Sequence, residues 1–407
     1  MADQSYQIEL GGEAVTEDFY SAVLSLTATE NTDAAGSLRL RLRIALQDDG
    51  VWTLLEDDRL NLFQKIKVSI GFTSGQGLAG ALGGLTGGND QPAPVFEGYI
   101  TAVAPSFECH AAEGAIDVQA LDTSVLMSLE EKIATWPNLA DSDIVKQIIA
   151  GYGVQTKIDA TETTHAENDT TITQRGTDIQ FIRELAQRNG AEFYFETDQD
   201  SGEVTAFFRP PQLDGAPQPD LAIQFGDEES NLRSFSVRLN GQRPLSVKMQ
   251  QIDVKSNEPN TAQAGHMKRA KLGAQDLKDL VAGALGGLVT PQDALAQMLL
   301  LGPPTSDPTE LKTLAQAVRD DAGWCIVGQG EINSEAYQTV LRPRRLVMIK
   351  GAGKPYSGKY YVTRVVHELS DDGAYTQKFE AVRNARDLDG SESFGGGGGL
   401  SVSIPGV

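Results

Sequence analysis

Strict alternation of apolar and polar residues marks the strands of this chain. The stretch 38–44 alternates aliphatic side chains with Arg39, Arg41 and Arg43, and residues 20–28 also alternate. A period of two places the aliphatic side chains on one face of a strand and the polar ones on the other. One buried and one solvated face is typical of an antiparallel barrel or sandwich. We expect the arginine face to be solvated or to meet an acidic neighbouring subunit.

One pattern of strand, glycine, loop, strand, turn and strand occurs twice. The predicted strands of the two copies are 63–72, 95–103 and 115–121, and 344–350, 356–365 and 376–382. Similarity of pattern at two places indicates an internal duplication, which governs the architecture of a chain. The sequence therefore predicts two related β units, one near each end.

A helical period appears between the two copies. Residues 141–150 are typical of a capped helix that ends at Gly151 or Gly153. Residues 177–190 place apolar side chains on one stripe, with Thr177 or Asp178 as the cap and Gly190 as the end. Strands are predicted around these helices at 154–158, 191–196 and 204–209. The segment is expected to form a small α+β module.

The fold class expected from these patterns is mainly β with α+β, in which two tube-like antiparallel β-barrel domains flank the module. The first barrel domain is assigned to residues 1–130, with a Gly-rich insert at 73–94, and the module to 131–212. The other assignments are a second barrel domain over 213–386, its partly helical insert at 257–322, and a flexible Gly-rich tail over 387–407.

Three helices are predicted in or beside the second insert, over 276–288, 291–301 and 309–320. The heptapeptide Ala-Gly-Ala-Leu-Gly-Gly-Leu occurs at 79–85 and again at 282–288, so each insert contains one copy. Shared low-complexity composition explains this repeat, or both inserts face a common space and pack closely through small residues.

Composition narrows the classes of function. The 407 residues are 40% hydrophobic and carry a formal net charge of −22. Such a charge argues against binding nucleic acid or an anionic membrane surface, both of which need a basic face. The N-terminus lacks the features of a signal peptide, and no apolar run is long enough to span a bilayer. We expect synthesis and folding in a cytoplasm, without direct membrane insertion.

Residues capable of catalysis or metal binding are scattered. The four histidines, at positions 110, 165, 266 and 367, have no metal-ligand spacing, and Cys109 and Cys325 are far apart. The acidic pairs 130–131 and 371–372 fall at predicted helix ends or turns, where they are solvated. The sequence thus predicts no enzyme, with no catalytic, cofactor-binding or metal-binding residues and no cofactor.

Two longer motifs carry a resemblance to a known family. They are residues 175–195 and residues 357–369, the latter followed by 373–376 and 383–385. With the order of the predicted units, these motifs resemble the baseplate hub of contractile injection systems. This is the phage late control protein D family, and it is similar to the hub-like N-terminal part of VgrG spikes. The resemblance covers residues 5–386 but not the two inserts or the tail.

The resemblance implies a homotrimer in which each subunit contributes two tube-like barrels. Three chains would form a ring of pseudo-sixfold symmetry that joins a hexameric inner tube to a trimeric spike. The implied partners are the inner tube protein, a separate spike tip protein, because the chain stops at Val407, and other baseplate components. The particle would be assembled in a bacterial cytoplasm as part of a phage tail-like particle or virion baseplate.

Two other functions remain open from the sequence. A carbohydrate-binding or adhesion module is compatible with aromatic residues such as Tyr356, Tyr360 and Tyr361 on an antiparallel barrel. A cell-wall hydrolase is a further alternative, although no separate domain of that kind fits within the pattern.

Overall fold

Strands dominate the chain, as the sequence pattern predicts. The computed structural model describes residues 3–73, 92–108, 113–167, 172–198, 201–223, 230–253, 255–285, 297–301, 308–371, 373–390 and 392. Within these residues the chain forms a first β unit, an α+β module and a second β unit that is interrupted by a further small subdomain.

The first β unit contains the strands β1 (Asp3–Leu10), β2 (Glu13–Ala14), β3 (Val23–Asn31), β4 (Ser37–Ala45), β5 (Lys65–Thr73), β6 (Ala93–Glu108) and β7 (Glu113–Asp122). Its six long strands lie in the order β1-β5-β6-β7-β4-β3, with every pair antiparallel. All six contribute buried side chains to one hydrophobic cluster, so the sheet curves around its own core. In β4 the aliphatic residues are buried and the three arginines are exposed, which confirms the predicted alternation.

The predicted strand over residues 20–28 is wrong at its beginning. Residues Glu17–Ala22 form a short helix, α1, and β3 begins only at Val23. Phe19 is buried in the core, and the Ile8 backbone N–H of β1 donates a hydrogen bond to the Tyr20 hydroxyl at 3.0 Å. These two aromatic anchors hold the helix against the sheet despite the alternating pattern.

The module contains β8 (Glu131–Trp136), β9 (Leu139–Ala140), α2 (Asp141–Ala150), β10 (Gln155–Ile158), β11 (Thr164–His165), β12 (Ile172–Thr177), α3 (Asp178–Arg188), β13 (Glu192–Thr197) and β14 (Val204–Arg209). Both predicted helices are confirmed. Thr177 and Gln180 form a capping box at the start of α3, which satisfies backbone N–H groups that a helix leaves unpaired. The helices pack on β13 and β14 around a separate hydrophobic cluster.

The second β unit begins with β15 (Gln218–Ala222) and β16 (Leu232–Leu239). An interrupting subdomain follows, with β17 (Ser246–Ile252), β18 (Pro259–Ala264), β19 (Gln275–Asp276), α4 (Leu277–Leu285), β20 (Gln297–Leu301) and α5 (Pro308–Ala322). The unit resumes with β21 (Ile326–Asn333), α6 (Ser334–Tyr337), β22 (Leu346–Lys350), α7 (Gly353–Tyr356), β23 (Gly358–Ser370), β24 (Tyr375–Arg383) and β25 (Ala385–Arg386).

The interrupting subdomain differs from the predicted insert in two respects. β17 pairs with β18 and β20 and packs under α5, so the segment outside the main sheet begins after Leu239 rather than at residue 257. Residues 297–301 form β20 and are not part of a helix, because they complete this small sheet beside β17. The helix predicted over 309–320 is confirmed as α5.

The second unit repeats the strand order of the first. Its six long strands lie in the order β15-β22-β23-β24-β21-β16, which matches β1-β5-β6-β7-β4-β3 strand by strand and in chain order. All six contribute to a second buried cluster. One difference is that β15 runs parallel to β22, whereas β1 runs antiparallel to β5. The duplication read from the sequence is confirmed at the level of topology.

The match extends to single residues. The β6–β7 pairing shifts register at residues 100–102, and the β23–β24 pairing shifts at 362–364. The β3–β4 and β16–β21 pairings likewise shift at residues 23–25 and 232–234. β-bulges are local features that reset register, so two shared bulges place the units in one alignment. In it residue 100 corresponds to 362, and residue 23 to 232.

A second local feature supports this alignment. Phe63 and Arg344 both have left-handed backbone conformations, with φ of 61° and 62°. The Phe63 N–H donates to the Ile100 carbonyl at 2.8 Å, and the Arg344 N–H donates to the Val362 carbonyl at 2.8 Å. The two units therefore share the backbone geometry that leads into β5 and β22.

The sheets of the two units are joined. Residues 364–370 of β23 pair antiparallel with residues 25–31 of β3, so that one 13-stranded sheet runs through both units. Several predicted features lie outside the described residues: most of the Gly-rich insert at 73–94, the heptapeptide at 79–85, part of its second copy at 282–288, residues 286–296 of two predicted helices, and most of the tail.

Candidate functional site: the junction between the two β units

The described histidines lie in three separate environments. His165 is buried in the module, with Nε2 2.8 Å from Oδ1 of Asp141. His266 is exposed in the interrupting subdomain, and His367 is buried between the two β units. No group of three or more His, Cys, Asp or Glu residues in the described part of the chain could hold a metal ion.

Other residues considered from the sequence are also placed. Cys325 is fully buried, and burial raises the pKa of its thiol to about 11. Glu130 and Glu131 are exposed, as expected for a solvated pair. His110, Cys109 and Asp372 lie outside the described residues. No helix among those described has the length and apolar character needed to cross a bilayer.

The aromatic residues proposed for adhesion are mostly internal. Tyr360 and Tyr361 are buried, and Tyr356 is half-buried. Tyr360 packs in the core of the second unit, and Tyr361 stacks on Trp324. These side chains stabilise the fold, and they do not form an exposed aromatic surface for a sugar.

A buried ion pair crosses the junction of the two units. Glu30 of β3 accepts a hydrogen bond from Arg342, which precedes β22, with Oε2 and Nη2 3.1 Å apart. Arg342 also donates to the Pro94 carbonyl in β6. His367 of β23 lies 3.3 Å from Glu30 on one side and 2.7 Å from the Tyr375 hydroxyl on the other. All four side chains are buried, so each partner replaces contacts with water.

The protonation states of this cluster follow from burial and charge. Burial alone would raise the pKa of Glu30, but the charge of Arg342 and the hydrogen bond to His367 outweigh it and hold that pKa below its usual value. Burial lowers the pKa of His367 despite Glu30 beside it. An ionised carboxylate only accepts hydrogen bonds. Neutral His367 therefore carries its proton on Nε2 and accepts at Nδ1 from Tyr375.

The strand β13 of the module lies across the same junction. The Tyr361 hydroxyl of β23 donates to Glu192 at 2.6 Å. The Arg344 guanidinium lies 4.1 Å from the ring centroid of Tyr194 and donates to the Asn31 carbonyl of β3 at 2.5 Å. Arg344 thus links the module, the first unit and the second unit through one side chain.

The far end of β13 continues these contacts. Glu196 forms an ion pair with Arg345 of the second unit. Thr197 donates to Glu97 of β6 in the first unit at 2.8 Å, and Glu97 also pairs with Lys65 at 2.5 Å. Residues of β13 therefore bind both β units. Because Phe193 lies in the module core, alternation directs Glu192, Tyr194 and Glu196 outward.

This arrangement is suited to mechanical coupling. A continuous sheet, a buried ion pair and a strand that bridges both units fix the units relative to one another, because a shift of either would leave buried charges unpaired. Sequence reasoning missed this site. Two sequence features could have indicated it. One is the group of three arginines at 342, 344 and 345 before a buried strand, and the other is the alternation of polar residues with Phe193 and Phe195 in residues 192–196.

Comparison with known structures shows the fold to be that of tail proteins. The 43 kDa tail protein of prophage MuSo2 from Shewanella oneidensis is similar with a TM-score of 0.62 and 13% identity, covering 95% of this chain and 100% of that chain. The tail protein from Neisseria meningitidis MC58 is similar with a TM-score of 0.61 and 10% identity, covering 94% of this chain and 97% of that chain.

A Francisella PdpA–VgrG complex also contains a chain of similar fold. The TM-score is 0.55 and the identity 11%, with coverage of 97% of this chain and 55% of that chain. No curated protein matches the sequence. The model of one family, described as the Alg8 N-terminal domain, matches residues 84–371, which include the module and most of the second unit. The chain therefore belongs to the family of the Alg8 N-terminal domain.

Proposed function

We propose that this chain is a structural baseplate hub without enzymatic activity, in a phage tail or a contractile injection system. The observation that carries the proposal is the repeated strand order of a six-stranded unit, with shared bulges, on one continuous sheet. Three copies of such a chain supply six equivalent β units. A trimer would therefore present pseudo-sixfold symmetry to a hexameric inner tube.

The differences between the two units would allow the ring to bind a trimeric spike. The second unit carries the interrupting subdomain, and the module bridges the two units. These features occur once per chain, so they would repeat three times around the ring and suit a trimeric spike. The buried junction would keep the two units of each chain in a fixed relation while force passes through the ring.

The proposed partners are further copies of the chain, the inner tube protein, a spike protein and other baseplate components. The tail proteins and the VgrG complex with the same fold support this setting. Assembly would take place in the bacterial cytoplasm, and the chain would then be part of a phage tail-like particle. The narrower link to the late control protein D family remains a prediction.

Native mass spectrometry of the full-length chain tests the trimer. We expect a complex of three 43.6 kDa chains. A monomer at every concentration, together with any copy number other than three in purified particles, would overturn the proposed symmetry.

Removal of the gene from the source bacterium tests the role. We expect electron microscopy to find no complete tail-like particles, and we expect a plasmid copy of the gene to restore them. Complete particles in the deletion strain would contradict a hub function.

A further inference from the structure

Among the strand edges that have no partner strand in the described part of the chain, two belong to segments that correspond to the internal junction. β5 covers β6 only as far as Tyr99, so residues 102–108 of β6 pair with β7 on one side and have no strand on the other. β16 pairs with β21 on one side and forms the end of the 13-stranded sheet. Exposed strand edges carry backbone groups that can pair with another chain.

The equivalent edges in the other unit are paired with each other. By the alignment of the bulges, residues 102–108 of β6 correspond to 364–370 of β23, and residues 234–240 correspond to 25–31. Residues 364–370 and 25–31 are the two segments that form the junction within the chain. The segments that correspond to the two sides of this junction, residues 102–108 and 234–240, therefore each lack a partner strand within the described residues.

We propose that residues 102–108 of one copy pair antiparallel with residues 234–240 of a second copy, in the register of the internal junction. Ala102 would lie opposite Asn240, Ser106 opposite Ser236, and Glu108 opposite Ser234 of that copy. The inference rests on the proposed ring, and it names the surfaces and the register by which copies associate.

The apolar side chains at this edge support a partner. Phe107 corresponds to Leu369, which is 5% exposed and packs into the core of the first unit, whereas Phe107 is 52% exposed. In the proposed register Phe107 lies opposite Phe235 of the second copy, just as Leu369 lies opposite Leu26. Within the chain the Phe107 ring packs edge-to-face on Trp52, with ring centroids 5.0 Å apart, and the exposed half of the ring is the part that a second chain would cover.

The segment before β5 also exposes large apolar side chains. Leu62 and Phe63 are 56% and 48% exposed. Phe63 corresponds to Arg344, which reaches across the internal junction to the Asn31 carbonyl. The equivalent contact would place Phe63 against Asn240 of the second copy. Exposed apolar groups next to an unpaired strand edge are typical of protein–protein interfaces.

Pro105 weakens the ladder at one position. It corresponds to His367, and the Thr32 N–H bond to the Thr363 carbonyl shows by alternation that the N–H at this position faces the neighbouring strand. Proline has no N–H, so the copy-to-copy ladder would have one hydrogen bond fewer than the internal one. Prolines within sheets occur at edge strands, which agrees with this half of β6 having no internal neighbour.

The interface would be heterologous, because β6 of one copy meets β16 of the next. Contacts of this kind produce closed rings when the rotation between copies closes, and open filaments when it does not. Each copy would use one edge of each unit. A closed ring of three would then contain three internal junctions alternating with three junctions between copies.

Cysteine cross-linking of the full-length chain tests the register. In a Cys109→Ser background, Ser106→Cys and Ser236→Cys occupy exposed positions predicted to be a closely spaced pair, with Cβ atoms about 5 Å apart and near disulfide range. The matched control combines Ala104→Cys with Ser234→Cys, four residues out of register and about 13 Å apart. Thr27→Cys with Glu368→Cys is the positive control, since these residues are paired within the chain.

We expect the first pair to give reducible dimers and trimers of the chain under mild oxidation, and the out-of-register pair to give at most a tenth of that yield. A chain that is oligomeric by native mass spectrometry but does not cross-link preferentially at the first pair would overturn the proposed pairing and leave the hub proposal standing. A chain that is monomeric at every concentration and in isolated particles would overturn both.

A substitution provides an independent check. Phe107→Asp should raise the dissociation constant between copies at least tenfold. Ile133→Asp, at an exposed apolar residue of the module, should leave it unchanged. Thermal unfolding of both variants confirms that they are folded. Equal association by the two variants would contradict the proposal.

Discussion

The two β units share their topology but differ in what covers them. In the second unit, the half of β23 that follows the bulge is paired with β3, and its Leu369 and His367 are buried. In the first unit, the same half of β6 lacks a neighbour within the described residues and contains the exposed Phe107. Equal backbones with unequal exposure indicate that one junction is formed within the chain and that the other awaits a second chain.

The segments that precede β22 and β5 also differ between the two units. Arg342, Arg344 and Arg345 precede β22 and bind the first unit and the module. The equivalent segment of the first unit, which precedes β5, exposes Leu62 and Phe63. The internal junction is therefore held by buried polar contacts, whereas the corresponding segment of the first unit places exposed apolar side chains next to an unpaired strand edge, a combination found at protein–protein interfaces.

Breaking the buried ion pair should have the largest effect. Arg342→Met leaves the Glu30 carboxylate buried without its counter-charge, and such changes cost about 3–5 kcal/mol in the free energy of unfolding. Arg39→Met, in the exposed pair with Asp117, should cost about 0–1 kcal/mol. Urea denaturation of both variants measures the difference. Equal losses would show that the junction does not depend on this pair.

Truncation of equivalent side chains compares the two edges directly. Leu369→Ala removes a buried side chain and should lower the free energy of unfolding by about 3 kcal/mol. Phe107→Ala in the monomeric state should cost under about 1 kcal/mol, because its ring is half exposed. If Phe107→Ala in dilute monomer lowered the free energy of unfolding as much as Leu369→Ala does, the two positions would not differ in burial as the account requires.

The contact between the module and the second unit should contribute less. Tyr361→Phe removes the hydroxyl that donates to Glu192 and leaves this half-buried carboxyl group with one partner fewer. The expected loss is about 1–3 kcal/mol in the free energy of unfolding. Tyr356→Phe, at a half-buried tyrosine nearby, is the matched control. If both variants unfold at the same urea concentration, β13 does not bind the second unit through this bond.

The pH dependence of stability should show the smallest effect. Burial lowers the pKa of His367, which faces Glu30, Arg342 and Tyr375, whereas a histidine in the unfolded chain titrates near pH 6.5. Below about pH 7 the unfolded chain therefore binds a proton that the folded chain does not, and the free energy of unfolding falls as pH is lowered.

The slope from this single group is at most about 1.4 kcal/mol per pH unit. His367→Gln should remove it between about pH 7.5 and 5.5, a range above that in which Glu30, with its lowered pKa, loses its charge. Urea titrations of both proteins at each pH measure the two slopes. Identical slopes would show that His367 is not held neutral at the junction.

Periodicity predicted the strands and helices well wherever local pattern determines them. The arginine alternation in β4, the capping box at Thr177 and the repeated strand pattern are all local signals. The errors occurred where contacts between segments distant in sequence determine the secondary structure. Residues 20–22 are helical because Phe19 and Tyr20 anchor to β1, and 297–301 are extended because β17 lies beside them.

The junction itself could not be predicted for the same reason. Glu30 and Arg342 are 312 residues apart, so no local pattern relates them. The sequence predicted two units but not which edges meet, because strand alternation is the same on a paired and an unpaired edge. The exposed Phe107 becomes informative only beside its buried counterpart Leu369.

A cryo-EM reconstruction of the oligomer formed by the full-length chain tests the central claim most directly. The account predicts a ring of three chains with six β units, in which residues 102–108 of each chain continue the sheet into residues 234–240 of the next. A different number of chains, or a three-chain ring in which both of these edges face solvent, would contradict it.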